Sequence, residues 1–367
     1  MFFNQWQQID FNNIAKRLEG VTRDEVRRTL NSSRIDDMLP LFSPAAAEFL
    51  EEMAVRAAAT TKERFGNTIQ LYAPLYLSNE CGNSCLYCGF SGKNRDITRR
   101  TLSTDEIERE VEAIYNMGIQ HLLLVCGEAP AKVPISYLKE AIHIAAKRMA
   151  YIAIEIYPTD VDSYRELVEA GVDGLTVYQE TYNATRYAEL HPAGRKRDMP
   201  WRLDTPDRGA LAGVRTLGVG ALLGLDNPYA DAYMAAYHAR YLMKTYWRSQ
   251  VTISFPRMRY AEGCVVTPVE VTDRTFVQFI TAARIAMPDV GIVVSTRERA
   301  SLRDNLAGLG VTQMSAASVT EPGGYTDRDI STAQFQVEDS RSVEEFAAML
   351  TQKGFEPVVK DWDHDLH

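Results

Sequence analysis

The stretch Ile69-Gln-Leu-Tyr-Ala-Pro-Leu-Tyr-Leu77, followed by Ser-Asn-Glu-Cys81-Gly-Asn-Ser-Cys85-Leu-Tyr-Cys88-Gly-Phe90, decides the fold. Its first half is a short apolar run of the length of a buried parallel strand. Its second half is a polar loop carrying three cysteines. Further apolar runs follow at 121–125, 151–156, 174–178, 219–223, 251–255, 291–295 and 313–316. Between them lie amphipathic stretches read as helices, at 104–116, 136–147, 161–169, 206–217, 230–246, 273–286 and 297–306. Asp105 and Glu106 put negative charge at the start of the first helix, and Gly118 and Gly171 close two of them as C-caps. Eight strands alternating with helices are the count of an α/β (βα)8 TIM-type barrel. A doubly wound open sheet shares the alternation and is the competing architecture.

Working outward, residues 10–59 carry helical periodicity through Ile14, Leu18, Val26, Leu30, Phe49 and Met53, with breaks at 31–33 and 39–44. The expected organisation is therefore an N-terminal helical extension (1–66), the barrel (67–320) and a short C-terminal α/β extension (321–367). The last begins with a Pro-Gly-Gly turn, ends in a helix and strand within 343–359, and completes or caps the barrel. A barrel takes about 250 residues, so the rest of the 367 is extension rather than a second full domain. Forty basic against 49 acidic residues give a net charge of −9, which argues against nucleic-acid binding. No apolar run reaches the ~18 residues of a membrane span, and residues 1–10 are too polar for a signal peptide. The expectation is a soluble, cytoplasmic protein with no nucleic-acid or membrane partner.

The five cysteines, Cys81, Cys85, Cys88, Cys126 and Cys264, are an odd number in a chain with no secretion signal, which disfavours a disulfide framework. C-x3-C-x2-C after the first strand lies at the face where barrels build their sites. Three thiolates there can each take one iron of a 4Fe–4S cluster and leave the fourth iron open, and Gly82 and Asn83 let the loop curl around it. A structural zinc site would want a fourth ligand, and the next candidates, His121 and Cys126, lie beyond a helix. A redox dithiol would leave Cys81 unexplained.

This motif resembles that of the radical S-adenosylmethionine (SAM) enzymes. Within them the chain is similar to the aromatic amino-acid lyase family, closest to the tyrosine lyases of thiamine biosynthesis (2-iminoacetate synthases). The similarity runs through Arg64-Phe-Gly-Asn-Thr, Pro74-Leu-Tyr-Leu-Ser-Asn, His121-Leu-Leu-Leu-Val-Cys-Gly-Glu and Tyr178-Gln-Glu-Thr-Tyr. It continues in Ser254-Phe-Pro-Arg, Ser295-Thr-Arg-Glu, Pro322-Gly-Gly-Tyr and Lys360-Asp-Trp-Asp.

The resemblance implies a 4Fe–4S cluster on Cys81, Cys85 and Cys88, and SAM as second cofactor. It places Gly127 and Glu128 at the SAM amino group, Glu155 at its ribose, and Glu180 with Arg202 at its amino-acid moiety. A planar guanidinium suits a carboxylate. The glycines of 218–224 would lie beside the adenine, although glycine in a strand also marks tight packing. Arg297 would hold the substrate carboxylate, and Tyr76 and Ser315 its amino end. Each has a structural reading too: Glu155 paired with a cation, Tyr76 a core aromatic, Arg297 and Arg202 solvated, Ser315 a satisfied hydroxyl. Arg195, Lys196 and Arg197 read as solvated surface, Cys126 as a buried thiol, and Cys264 carries no role. The run Lys93, Arg95, Arg99, Arg100 reads as a solvated loop or a dock for an acidic electron donor.

The implied reaction is one-electron reduction of SAM to methionine and a 5′-deoxyadenosyl radical, which takes hydrogen from the amino group of L-tyrosine. Cleavage at Cα–Cβ gives dehydroglycine (2-iminoacetate) and p-cresol. A thiazole synthase and a flavodoxin- or ferredoxin-type donor are the implied partners. The alternatives are a tryptophan lyase of the same family, an iron-only hydrogenase maturase and a zinc-bound structural protein. The maturase reading is disfavoured because that family adds a C-terminal cysteine motif, whereas the last cysteine here is Cys264.

Overall fold

The computed structural model describes residues 1–327 and 333–360. Its strands are β1 (Thr68–Ser78), β2 (His121–Cys126), β3 (Tyr151–Glu155), β4 (Gly174–Glu180), β5 (Thr216–Ala221), β6 (Gln250–Ser254), β7 (Gly291–Val294), β8 (Gln313–Ser315) and β9 (Glu356–Val358). Strands β1 to β8 pair in sequence order, all parallel, and β8 returns to β1 with Tyr72 opposite Ser315. The sheet is closed, a (βα)8 TIM-type barrel rather than an open doubly wound sheet.

Strand β9 explains the tail. It pairs with Thr68 to Gln70 of β1, whereas β2 joins β1 only from Ala73 onward. β9 thus occupies the flank of β1 that β2 leaves bare at the N-terminal end of the barrel. The amide of Gln120, just before β2, donates to the Val359 carbonyl at 2.8 Å and extends the seal. Asp361, Trp362 and Asp363 of the C-terminal motif lie outside the described residues.

The helices follow from spacing and caps. Thr104–Asn116 opens with a reciprocal capping box of Ser103 and Glu106 and buries Ile107, Val111 and Ile114, spaced four and three apart. Two elements differ from expectation. The helix expected over 206–217 stops at Leu211, because Gly213 turns with φ +94° and β5 already begins at Thr216. The helix expected from 297 begins at Ala300, which leaves Arg297 in the loop after β7.

The N-terminal helices Phe11–Glu19, Arg23–Asn31 and Leu50–Phe65 are separated by a break at Gly20–Thr22 that the periodicity does not reveal, and by two 3-10 turns over Leu39–Phe42 and Pro44–Phe49. Their apolar side chains, among them Leu18, Val26, Phe42 and Met53, join the barrel residues in one continuous core. Each such side chain contributes about 1.5–3 kcal/mol. Phe2 stacks on the buried His238 ring at 3.8 Å and ties the N-terminus to the outer helices. Among the described residues no helix is long and apolar enough to cross a membrane.

Candidate active site

One cavity opens at the C-terminal ends of the strands, and all eleven residues singled out above line it. The cysteine loop forms one wall. Its Gly82 amide donates to the Glu128 carbonyl (2.8 Å), Ser84 to Ala193 (3.0 Å) and Leu86 to Leu190 (3.1 Å), so three separate segments shape it. Gly127 is where this packing is tightest: a Cβ there would lie 2.4 Å from the Glu80 carbonyl oxygen and 3.0 Å from Cys81 Cβ. Tyr87, between the second and third cysteines, donates its hydroxyl to His191 Nε2 at 2.8 Å, while His191 Nδ1 lies 2.7 Å from the Tyr187 carbonyl. A carbonyl only accepts, so the proton sits on Nδ1. Burial holds His191 neutral, with its pKa lowered to about 3, and Lys196 adds to the effect.

Burial pushes the Cys85 thiol up to about 12 and also raises Cys88, with neighbouring cysteines contributing to both. Thiols so placed give up their protons to a metal rather than to water. Among the described residues no three Cys, His, Asp or Glu side chains converge as ligands of one ion. Three thiolates on one short loop are one each for three irons of a cubane.

The acids on the neighbouring strands are held in different ways. Glu128 accepts from Asn83 Nδ2 at 2.6 Å, which couples the end of β2 to the cysteine loop. Glu180 ends β4 with φ +75°; among the described residues only Ala317 also combines a side chain with positive φ. This backbone conformation costs of order 1 kcal/mol or more and turns the carboxylate into the cavity, 2.6 Å from Lys196 Nζ and 3.5 Å from Arg202 Nη2. Burial alone would raise the Glu180 pKa; the two cations outweigh it and lower the value. Arg202 also donates two hydrogen bonds, at 3.0 and 2.7 Å, to the Tyr178 carbonyl. Glu155 makes no ion pair among the described residues, and burial together with the charge of Glu180 pushes its pKa up to about 7.

Lys196 departs from the solvated reading. Its amide donates to Asn83 Oδ1 (2.9 Å), its ammonium reaches Glu180, and only Arg195 and Arg197 beside it are exposed. The short 3-10 turn Arg195–Arg197 aims the middle residue inward. The basic loop divides similarly. Arg99 donates to the carbonyls of Asn79, Phe90, Ser91 and Asn94, and Arg100 pairs with Glu106 at 2.8 Å, so both are structural, whereas Lys93 and Arg95 are exposed. On β5, a Cβ at Gly220 would lie 2.3 Å from the Ser254 carbonyl oxygen, which is tight strand packing. Cys126 is a buried thiol pushed up to about 12, and Cys264 packs beside the cysteine loop.

Tyr76, packed against the cysteine loop, lines the cavity together with Arg297 and Ser315. Arg297 forms no ion pair among the described residues; its guanidinium lies over the Phe335 ring, 3.3 Å from the centroid. Burial lowers its pKa. Ser315 Oγ accepts from the Thr296 amide at 3.0 Å. Tyr76, set edge-on to Phe90, donates its hydroxyl to Gln334 Oε1 at 2.8 Å. Gln334 and Phe335 come from the C-terminal extension, in a stretch with no periodicity to mark it, and the sequence offers no signal for them. Next to Arg297, the buried carboxylate of Glu298 holds Arg257 and, at 2.9 Å, Arg259, which fixes this rim of the cavity.

Comparison with known proteins identifies relatives of the whole chain. Residues 75–232 match the radical SAM superfamily, and residues 254–356 match the biotin and thiamin synthesis associated domain. The 2-iminoacetate synthase of Escherichia coli (strain K12) is 44% identical over 100% of this chain and 97% of its own length. That of Salmonella typhimurium is 43% identical over 99% and 97%. Among solved structures, the FeFe-hydrogenase maturase HydG from Carboxydothermus hydrogenoformans superposes with a TM-score of 0.89 at 33% identity, over 97% of this chain and 84% of that one. The three cysteines, the closed barrel and this full-length identity together show that the chain belongs to the 2-iminoacetate synthase family of radical SAM enzymes.

Proposed function

We propose that the protein is a radical SAM lyase that cleaves the Cα–Cβ bond of L-tyrosine to dehydroglycine (2-iminoacetate) and p-cresol, for the thiazole of thiamine. The observation that carries this reading is Arg297, a guanidinium inside the cavity with no carboxylate partner among the described residues, facing the same space as Tyr76 and Ser315. A buried cation without a partner is costly, and an amino-acid carboxylate is a planar match for it. Tyr76 and Ser315 meet the amino end.

Cys81, Cys85 and Cys88 would hold a 4Fe–4S cluster by three of its irons. Gly127, Glu128, Glu155, Glu180 and Arg202 would hold SAM. When bound, these groups supply a hydrogen-abstracting carbon radical. The chain's own part is to bind and orient. Arg297 fixes the substrate by its carboxylate, Phe335 holds that guanidinium flat, and the barrel walls keep water from the radical. The reaction we place in the cytoplasm, with electrons from a flavodoxin- or ferredoxin-type donor and product passed to a thiazole synthase. Dehydroglycine hydrolyses readily, which favours direct transfer.

The test is anaerobic turnover of reconstituted protein with SAM, dithionite and either tyrosine or tryptophan. p-Cresol from tyrosine supports the proposal. An indole product from tryptophan with none from tyrosine moves the assignment to the sister lyases, and a colourless protein with one zinc per chain ends it.

A further inference from the structure

Gln334 bridges the cysteine loop and Tyr76. Its Nε2 lies 3.7 Å from Cys88 Sγ and its Oε1 lies 2.8 Å from the Tyr76 hydroxyl. The backbone around it is fixed: the Gln334 amide donates to the Thr320 carbonyl, and Thr320 Oγ1 donates to the Phe335 carbonyl, each at 3.0 Å. Gly89 lies against it, where a Cβ would approach the Gln334 carbonyl oxygen to 2.7 Å.

We infer that Gln334 is a positioning residue that sets the hydrogen-bond polarity of Tyr76 from the cluster side. This rests on the tyrosine-lyase reading, in which Tyr76 meets the substrate's amino group. A metal-bound thiolate sulfur has no proton and only accepts, so the NH2 end of the Gln334 amide must face Cys88. The carbonyl end is then left for Tyr76, which must donate to it. With its one proton committed, the phenol oxygen presents lone pairs to the cavity and takes an N–H from the ligand. Reversing the amide would break both contacts at once. Tyr76 therefore selects for a donor, the amino group, and against a second carboxylate oxygen.

The experiment uses anaerobic holoenzyme and two readouts: the cluster midpoint potential by EPR-monitored titration, and L-tyrosine affinity by calorimetry on SAM-loaded, unreduced protein. Gln334→Met should lower the potential, since N–H···S bonds favour the reduced cluster. It should also raise the tyrosine Kd about fivefold, the contribution of one neutral hydrogen bond. Gln334→Glu, of the same shape, covers a folding defect in the Met variant; at pH 8 it too should lower the potential. A potential unchanged in both variants, or a Kd unchanged in Gln334→Met, overturns the inference. Tyr76→Phe separates the two layers: it should raise the Kd and leave the potential alone. An unchanged Kd there overturns the underlying assignment of Tyr76 instead.

Discussion

The two ends of the charged cavity differ in how they settle their charges. At the cysteine-loop end, Glu180 sits between Lys196 and Arg202, and Glu128 is tied to Asn83. Toward the barrel centre, Glu155 and Arg297 have no ion-pair partner among the described residues and sense each other only at a distance. The first group already has its charges partnered within the protein, before any ligand arrives. The second is left without an opposite charge, at a cost to stability that a ligand bound there would offset.

The largest effect is expected from breaking the partnered end. Lys196→Met leaves Glu180 with Arg202 alone, and removing one partner of a buried pair costs about 3–5 kcal/mol; urea unfolding at pH 7 measures it. Next is Arg297→Ala, which should lower kcat/KM for tyrosine roughly 100-fold, the loss of a charge-assisted bidentate contact. Iron content near four per chain would show that the fault lies in substrate binding. If the variant turns over normally, the carboxylate assignment is wrong.

Glu155→Gln should act in the opposite direction on stability. The pKa of Glu155 is raised to about 7, so between the ordinary carboxylate range and pH 7 the folded protein keeps a proton that the unfolded chain has released. Stability therefore falls as pH rises through that window. Glutamine does not titrate, so the cofactor-free variant should exceed wild type at pH 8. Allowing for the water that reaches this half-buried group, the gain is about 2 kcal/mol. Thermal melts should show it shrinking toward pH 5, and a gain that persists unchanged there would refute the shift. The smallest effect is expected of Cys264→Ser, within about 0.5 kcal/mol of wild type and with its iron intact; loss of iron would make Cys264 a ligand.

The same division separates what the sequence discloses from what it does not. The barrel is legible because each strand carries its own apolar run and each helix its own period, both local signals. The cysteine loop is legible because its three cysteines lie within eight residues. Lys196 is hidden because a single inward residue in a three-residue turn has no period to read. Gln334 and Phe335 reach the cavity by tertiary contact with β1 and the loop after β7, across more than 250 residues in the case of Tyr76. The over-long helix before β5 is a different matter: Gly213 is an ordinary stop signal, outweighed by the apolar Val214 and Leu217 beyond it.

The seam at the foot of the barrel has a consequence for synthesis. β1 emerges from the ribosome early, yet Gln70 meets Gln313 across a separation of 243 residues, and β9 is made later still. A nascent chain therefore carries an open parallel edge through most of translation; its sheet closes only when β8 arrives, and the flank of β1 at the foot stays bare until β9 follows. Chaperone demand during expression should follow from that delay rather than from any weakness of the finished enzyme.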